Sequence, residues 1–353
     1  MKLKKNVLLL TFFVFLFLII YIFAAARPLG KELQMAPVWT IDIRQTADHS
    51  QKTDLLPFRL GQTMGYFTAD GKIASMYTFP YKASISRFYY AQYGSDAADT
   101  AFYKPDGIQA GIIVPCGFPF FDENRIFLFM PGGTSFMQCN SDGSEKWRYE
   151  GAVPITAFSS SPAGCVAGFA DGTICSFTAD GRPSQAFTPG GSDYPVILGA
   201  DISSDGKYIA CMSGQNRQRI VLAKCEREHS IITFFKYFDR DQTRQVLVKF
   251  SKKNDVLYYN YAGGLGVVKC LSGKHTEIPV KGWIITIQES ETGNTIYVLS
   301  RDESTYTVYI LEDFDNLLGS FSFSADSAFI LAKDNSLYIG RNTQISRLTF
   351  AEK

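Results

Sequence analysis

Residues 201–214 read Asp-Ile-Ser-Ser-Asp-Gly-Lys-Tyr-Ile-Ala-Cys-Met-Ser-Gly, and residues 219–225 follow as Arg-Ile-Val-Leu-Ala-Lys-Cys. An Asp-Gly turn is flanked by β-branched, aromatic and small apolar residues, and a second such run returns after a short polar break. That is the pattern of consecutive antiparallel strands joined by tight turns. The same grammar recurs at 157–181, 248–274, 287–311 and 323–340, and two earlier units centre on 65–80 and 120–149. Asp-Gly itself occurs six times, at 70–71, 106–107, 142–143, 171–172, 180–181 and 205–206, where random placement of this chain's Asp and Gly gives about two. A type I′ hairpin turn needs positive φ at both central residues, which Asp tolerates and Gly prefers, so these pairs are read as two-residue hairpin loops.

Aligned on these turns, the units repeat every 40–45 residues or so, the spacing of propeller blades. No sustained helical periodicity of ordinary length interrupts them after Val38. The expected fold class is therefore all-β: a β-propeller of seven four-stranded blades over 55–98, 110–151, 152–190, 191–238, 239–280, 281–322 and 323–353. Six or eight blades fit the same repeat, because the early units are irregular and 84–110 reads as a long insertion. The last blade is one strand short. Val38–Ile43 (Val-Trp-Thr-Ile-Asp-Ile) is a strand without a blade, so it is expected to pair with the last blade and close the ring, protecting sheet edges.

The phrase Ser203-Ser-Asp-Gly-Lys-Tyr-Ile-Ala210 resembles the blade-opening turn and second strand of WD40-like repeats. Gly168-Phe-Ala-Asp-Gly-Thr-Ile-Cys-Ser-Phe-Thr-Ala-Asp-Gly-Arg182 resembles the double hairpin of quinoprotein-like (PQQ-type) repeats of exported bacterial proteins. The resemblance spans about 55–353. No Trp-Asp dipeptide ends a blade, since Trp39, Trp147 and Trp283 precede Thr, Arg and Ile. The resemblance implies a propeller and, through quinoprotein-like members that serve in outer-membrane protein assembly, an envelope scaffold. It implies no particular reaction.

The N-terminus carries a different signal. A basic tail, 1–6, precedes twenty uncharged residues, 7–26 (VLLLTFFVFLFLIIYIFAAA), long enough at helical rise for about 30 Å of bilayer core. The reading favoured is one transmembrane anchor followed by a linker, 27–37, with the propeller domain at 38–353. Ala24-Ala25-Ala26 keeps a cleaved signal peptide as the alternative, although the run exceeds the usual h-region. Lys2, Lys4 and Lys5 outnumber Arg27 and Lys31, so the N-terminus is expected in the cytoplasm and everything after residue 26 outside it, in a single-pass inner-membrane arrangement.

Composition narrows function by exclusion. The 35 Lys+Arg nearly balance 34 Asp+Glu, which disfavours a nucleic-acid partner. The three histidines, His49, His229 and His275, are far apart in sequence, with no metal-binding spacing. Asp239-x-Asp241 and Asp313-x-Asp315-Asn316 lack the Gly and Glu of a calcium loop, Phe250 and Ser324 standing at the twelfth positions. There is no G-x-S-x-G elbow and no phosphate-binding loop. The acidic base, metal ligands and vicinal disulfide that the resemblance implies for a quinone-dependent dehydrogenase are not identifiable, so no catalytic, metal or cofactor residue is assigned and none is expected. Seven cysteines include no C-x-x-C. With a two-residue loop at 171–172, Cys165 and Cys175 would sit on opposite sheet faces and could not bond.

Binding residues are better supported. Phe88, Tyr89, Tyr90 and Tyr93 in Arg87–Tyr93, and Phe118 and Phe120 in Phe118–Phe121, concentrate aromatic rings near loop boundaries, where they would anchor a partner if exposed and line the core if not. The expectation is a membrane-tethered, extracytoplasmic, non-enzymatic scaffold for a protein or cell-envelope component. The alternative is a periplasmic enzyme or small-ligand sensor using the propeller channel.

Overall fold

A computed structural model describes residues 11–21, 33–48, 50, 53–94, 98–227, 229–292 and 294–352. The chain divides into two compact units, 1–34 with 351–353, and 35–350. In the first, a helix runs over 11–21. Among the described residues no helix is long and apolar enough to cross a membrane. This corrects the expected transmembrane helix. The basic tail, 7–10 and 22–26 of the apolar run, 27–32 of the linker, and His49 lie outside the described residues.

The second unit is a propeller of eight sheets, one more than the favoured count. Blades 1 to 8 span 56–78, 82–113, 118–149, 155–187, 194–237, 248–279, 283–324 and 328–352. Blades 3 to 8 fall on the expected units, with boundaries that differ by up to nine residues. The error lies in 55–98, which holds all of blade 1 and half of blade 2. Blade 2 hides because its strands Lys82–Ile85, Tyr90–Tyr93, Thr100–Tyr103 and Gln109–Ile113 have only four or five residues. An alternation that short is hard to see. Its first turn also lacks Asp-Gly. There the Ser86 hydroxyl accepts from the N–H groups of Phe88 and Tyr89, both at 3.2 Å, while the Ser86 N–H donates to the Tyr89 carbonyl at 2.8 Å.

The Asp-Gly turns differ from expectation in type. At all six, Gly alone has positive φ, between 71° and 91°. Each Gly N–H donates back three residues, for example Gly172 to the Phe169 carbonyl at 3.1 Å, and the wider pair closes outside it, as Phe169 N–H to Thr173 C=O at 2.9 Å. These are type I turns followed by a left-handed Gly, a three-residue loop. Asp is selected because its carboxylate accepts from the N–H two residues on: Ile108 at 3.1 Å, Ser144 at 2.9 Å, Thr173 at 2.9 Å and Lys207 at 3.1 Å. The extra loop residue changes the register. Cys165 faces Phe177 and Cys175 faces Ala167, so the two cysteines share a sheet face, two register positions apart. All seven cysteines are free thiols.

Apolar side chains collect between blades rather than within them. Leu198, Met212 and Leu222 of blade 5 meet Phe250, Leu257 and Tyr259 of blade 6. Tyr258, Leu265 and Val267 of blade 6 meet Ile284, Ile296 and Val298 of blade 7. Comparable clusters fill the junctions 1/2, 2/3, 3/4, 4/5 and 8/1. At the junction of blades 7 and 8, Tyr297 stacks on Phe350 at 5.4 Å.

The ring closes as the orphan strand suggested. Leu33–Asp42 is the outermost strand of blade 8, beside Gln344–Glu352. It begins inside the expected linker, and Pro37 is tolerated because an outermost strand needs hydrogen bonds on one side only. Trp39 then reaches into blade 1. Its indole N–H donates to the Ala69 carbonyl at 3.2 Å, and its ring packs against Phe67 and Tyr338 and over Gly71, where a Cβ would come within 3.0 Å of the indole. Trp39→Ala is expected to lower unfolding free energy by roughly 2–4 kcal/mol in denaturant titration, from lost packing across the closing junction. A loss below half a kcal/mol would show that closure does not depend on this ring.

Candidate functional site

Seven blades send the C-terminal end of their innermost strand to one mouth of the channel. Blade 1 is the exception. Its innermost strand, Leu56–Leu60, runs the other way: Asp54, just before it, meets Lys333 at the end of Ala328–Lys333, whereas Gly61, just after it, lies against Ser327 at that strand's start. The mouth opens into a cavity of about 720 Å³ reached by residues of all eight blades.

Its wall is a belt of polar groups, each of which ties one blade to the next. From blade 2, the Ser86 hydroxyl donates to the Glu123 carbonyl at 2.8 Å. In blade 3, Asp122 pairs with Arg125 at 2.7 Å, and Ser160 of blade 4 donates to Asp122 while accepting from Arg125 Nε at 3.0 Å. The Ser159 hydroxyl donates to Asp201 of blade 5, whose other oxygen accepts from the Phe250 N–H of blade 6 at 2.7 Å. Lys249 Nζ donates to the Ile287 carbonyl of blade 7 at 2.7 Å, and the Lys252 N–H donates to the Glu289 carboxylate at 3.0 and 3.2 Å. Lys333 of blade 8 meets Asp54, which also holds Arg87 of blade 2 at 2.7 Å.

Burial sets the electrostatics. Desolvation pushes Asp201 up to about 6, only partly offset by the bonds from Ser159 and Phe250. Burial also raises Glu289 and lowers the ammonium of Lys249. Asp54 goes the other way, its carboxyl held low chiefly by the hydrogen bond from Lys333. The Ser159 and Ser160 hydroxyls donate to the carboxylates of Asp201 and Asp122. The arrangement suits holding blades in register and presenting mixed charge to a polar ligand or partner.

A second cleft, about 580 Å³, adjoins the mouth between blades 1 and 2 and shares Arg87 with it. Phe88 sits there 45% exposed, with Lys104 and Asp106 opposite. Of the other sequence-selected rings, only Tyr89 reaches it. Tyr90 is buried, stacked on Tyr77 at 4.6 Å and Tyr103 at 5.4 Å. Tyr89 packs against Phe102 and Phe121 in the 2/3 junction, although it also edges the cleft. Tyr93 meets Phe118 edge-on at 6.4 Å, with Lys82 over the Phe118 ring. Phe120 lines a smaller hollow with Phe129 and Phe158. Two selected rings, Phe88 and in part Tyr89, thus line the cleft, and the six do not form one patch.

The belt residues went unselected because their partners lie on other blades, 35 to 49 positions away for Arg125–Ser160, Ser159–Asp201 and Asp201–Phe250. Their signal is periodic. In seven of the eight blades a polar group sits where the innermost strand meets its first turn: Ser86, Asp122, Ser160, Asp201, Lys252, Glu289, Lys333.

A family model described as beta-propeller protein matches residues 1–353. A protein of Treponema pallidum (strain Nichols), named "Uncharacterized protein", is 30% identical over 364 aligned residues, covering 99% of this chain and 96% of the relative. The crystal structure of BamB from Moraxella catarrhalis superposes with a TM-score of 0.60 over 90% of this chain and 100% of that one, at 13% identity. At that identity the likeness is one of fold.

Asp201 provides a test of the belt. Because its folded-state value is raised from 3.8 to about 6, the folded protein holds a proton that the unfolded chain has released between those values. The stability from this group therefore rises as pH falls from about 6 toward 4. Relative to Asp201→Asn, the wild type is expected to gain up to about 3 kcal/mol between pH 7 and pH 4 in denaturant titrations. Asp201→Ala, which strands the Phe250 N–H, should cost about 1–3 kcal/mol at either pH. A pH-independent difference between wild type and the Asn variant would contradict the buried-carboxylate assignment.

Proposed function

The chain belongs to the β-propeller protein family, and from that premise we propose that it is a non-enzymatic docking scaffold displayed outside the cytoplasm, engaging a protein of the cell envelope through the face that carries the channel mouth. The observation that carries this reading is the cleft between blades 1 and 2. An exposed aromatic ring, Phe88, is rimmed by charges of both signs, Arg87, Asp54, Lys104 and Asp106, in a hollow of about 580 Å³. An aromatic anchor in a pocket with a polar rim is the composition of a binding hot spot. Exposed loop and turn residues on a stiff ring of sheets suit docking, since the scaffold holds them in fixed relation. The resemblance to repeats of exported proteins, and the basic-then-apolar N-terminal sequence, support placement of the propeller outside the cytoplasm.

A second reading, a small-ligand sensor, draws on the channel mouth itself, where Asp122, Arg125, Lys249 and Glu289 converge on about 720 Å³. The two readings separate experimentally. A photoreactive phenylalanine analogue at position 88 is expected to crosslink one discrete partner in intact cells. The same analogue at Leu271, a 94% exposed turn residue of blade 6, is expected to give no such adduct. Identical adduct patterns from both positions would count against the cleft. A ligand-dependent rise in Tm that Lys249→Met abolishes and Phe88→Ala leaves intact would favour the sensor. For location, alkaline phosphatase fused after Lys353 is expected to be active, as it is only outside the cytoplasm, and an inactive but full-length fusion would place the propeller inside.

A further inference from the structure

The outermost strand of blade 5, Ser230–Tyr237 (Ser-Ile-Ile-Thr-Phe-Phe-Lys-Tyr), treats its free edge differently from those of blades 3, 4 and 6. Such a strand has a row of backbone N–H and C=O groups with no strand beside them, and proteins usually blunt it with charge or proline. Glu145–Tyr149 carries Glu145, Lys146 and Arg148. Pro183–Phe187 opens on proline and His275–Pro279 closes on it. Ser230–Tyr237 has no proline, and its single charge, Lys236, pairs with Glu277 of blade 6 at 2.6 Å. Ile231, Ile232, Phe235 and Tyr237 are 37–52% exposed along it. A bulge leaves Thr233 unpaired, but Phe234–Tyr237 beyond it is regular.

An independent observation lies directly beneath. Arg219, on the adjacent strand, is only 8% exposed. Its guanidinium lies under the rings of Phe235 at 5.3 Å and Tyr237 at 5.4 Å, and donates to the Pro189 carbonyl and, at 3.3 Å, to the Tyr237 hydroxyl. Nε has no partner, and among the described residues no carboxylate pairs with this cation. Arg217 stands over the Tyr237 ring at 5.4 Å, exposed. A buried cation without a counter-ion is costly, and this guanidinium lies at the Tyr237 end of the edge.

We infer that this edge accepts an extended, acidic segment of a partner protein as a fifth strand of blade 5. The partner's backbone completes the ladder, its apolar side chains cover Ile232 and Phe235, and a carboxylate settles beside Arg217 in the field of Arg219. A second copy of this strand is a poorer occupant, because its only charge is the positive Lys236. This site is separate from the channel-mouth cleft, so its failure leaves the docking reading there untouched.

The test is hydrogen exchange on the full chain with a synthetic nonapeptide alternating valine and glutamate. The peptide should slow exchange of amides within 230–237, and the same peptide N-methylated at alternate residues, which cannot pair as a strand, should not. Lysine in place of glutamate should weaken binding about tenfold, the effect of one charge-pair contact. Phe235→Lys, at an exposed position, should abolish protection with the circular dichroism spectrum unchanged. Three results would overturn the inference: equal protection by the N-methylated peptide, equal affinity of the lysine peptide, or protection of 230–237 that rises with protein concentration alone, which would identify a second copy as the occupant.

Discussion

No blade of this protein has a core of its own. Each sheet buries its two faces against its neighbours, so Leu222 and Phe250, or Val267 and Ile287, are covered only when successive blades meet. A buried aliphatic or aromatic side chain contributes on the order of 1.5–3 kcal/mol, and here that contribution exists only at junctions. The ring must therefore close. An open arc would leave two apolar faces in water, one on each terminal blade, as well as unpaired edges. The strand Leu33–Asp42 meets that demand by completing blade 8 from the other end of the chain, and Trp39 carries the packing onward into blade 1.

The polar belt at the channel mouth follows from the same constraint. Innermost strands converge where there is little room, and their last residues face one another across junctions. Polar groups buried there need partners, and the nearest belong to the adjoining blade. Asp201 illustrates the outcome: a carboxylate on blade 5 is satisfied by a hydroxyl from blade 4 and an N–H from blade 6. Residues that hold the ring together are thereby the residues that give its mouth mixed charge. The reversed strand of blade 1 fits into this scheme because Asp54, which precedes that strand, comes to the same mouth and joins blades 8 and 2.

The two surfaces that stand out for docking arise where the scheme leaves groups unmatched. Phe88 projects from a turn held by Ser86 rather than by an Asp-Gly pair, and it lies outside the junction that buries Tyr90. On the flank of blade 5, Phe235 and Tyr237 lie beyond the reach of blade 4, with Arg219 beneath them lacking a counter-ion.

Local chemistry determined much of this in advance. Asp-Gly turns between alternating runs specify hairpins, because backbone sterics at Gly and the side-chain acceptor of Asp act within five residues. Repetition of hairpins specifies blades, and an orphan strand before the first implies closure. Those inferences located blades 3 to 8 and the closing strand. They erred where the local signal was thin or depended on register: the short strands of blade 2 and the single loop residue that moved Cys165 and Cys175 onto one face. Whether Phe88 is presented and Tyr90 buried, and whether Ser159, Asp201 and Phe250 meet, rested on the tertiary structure alone, because partners up to 49 positions apart are brought together by ring geometry, and no short window of sequence encodes which faces a junction will cover.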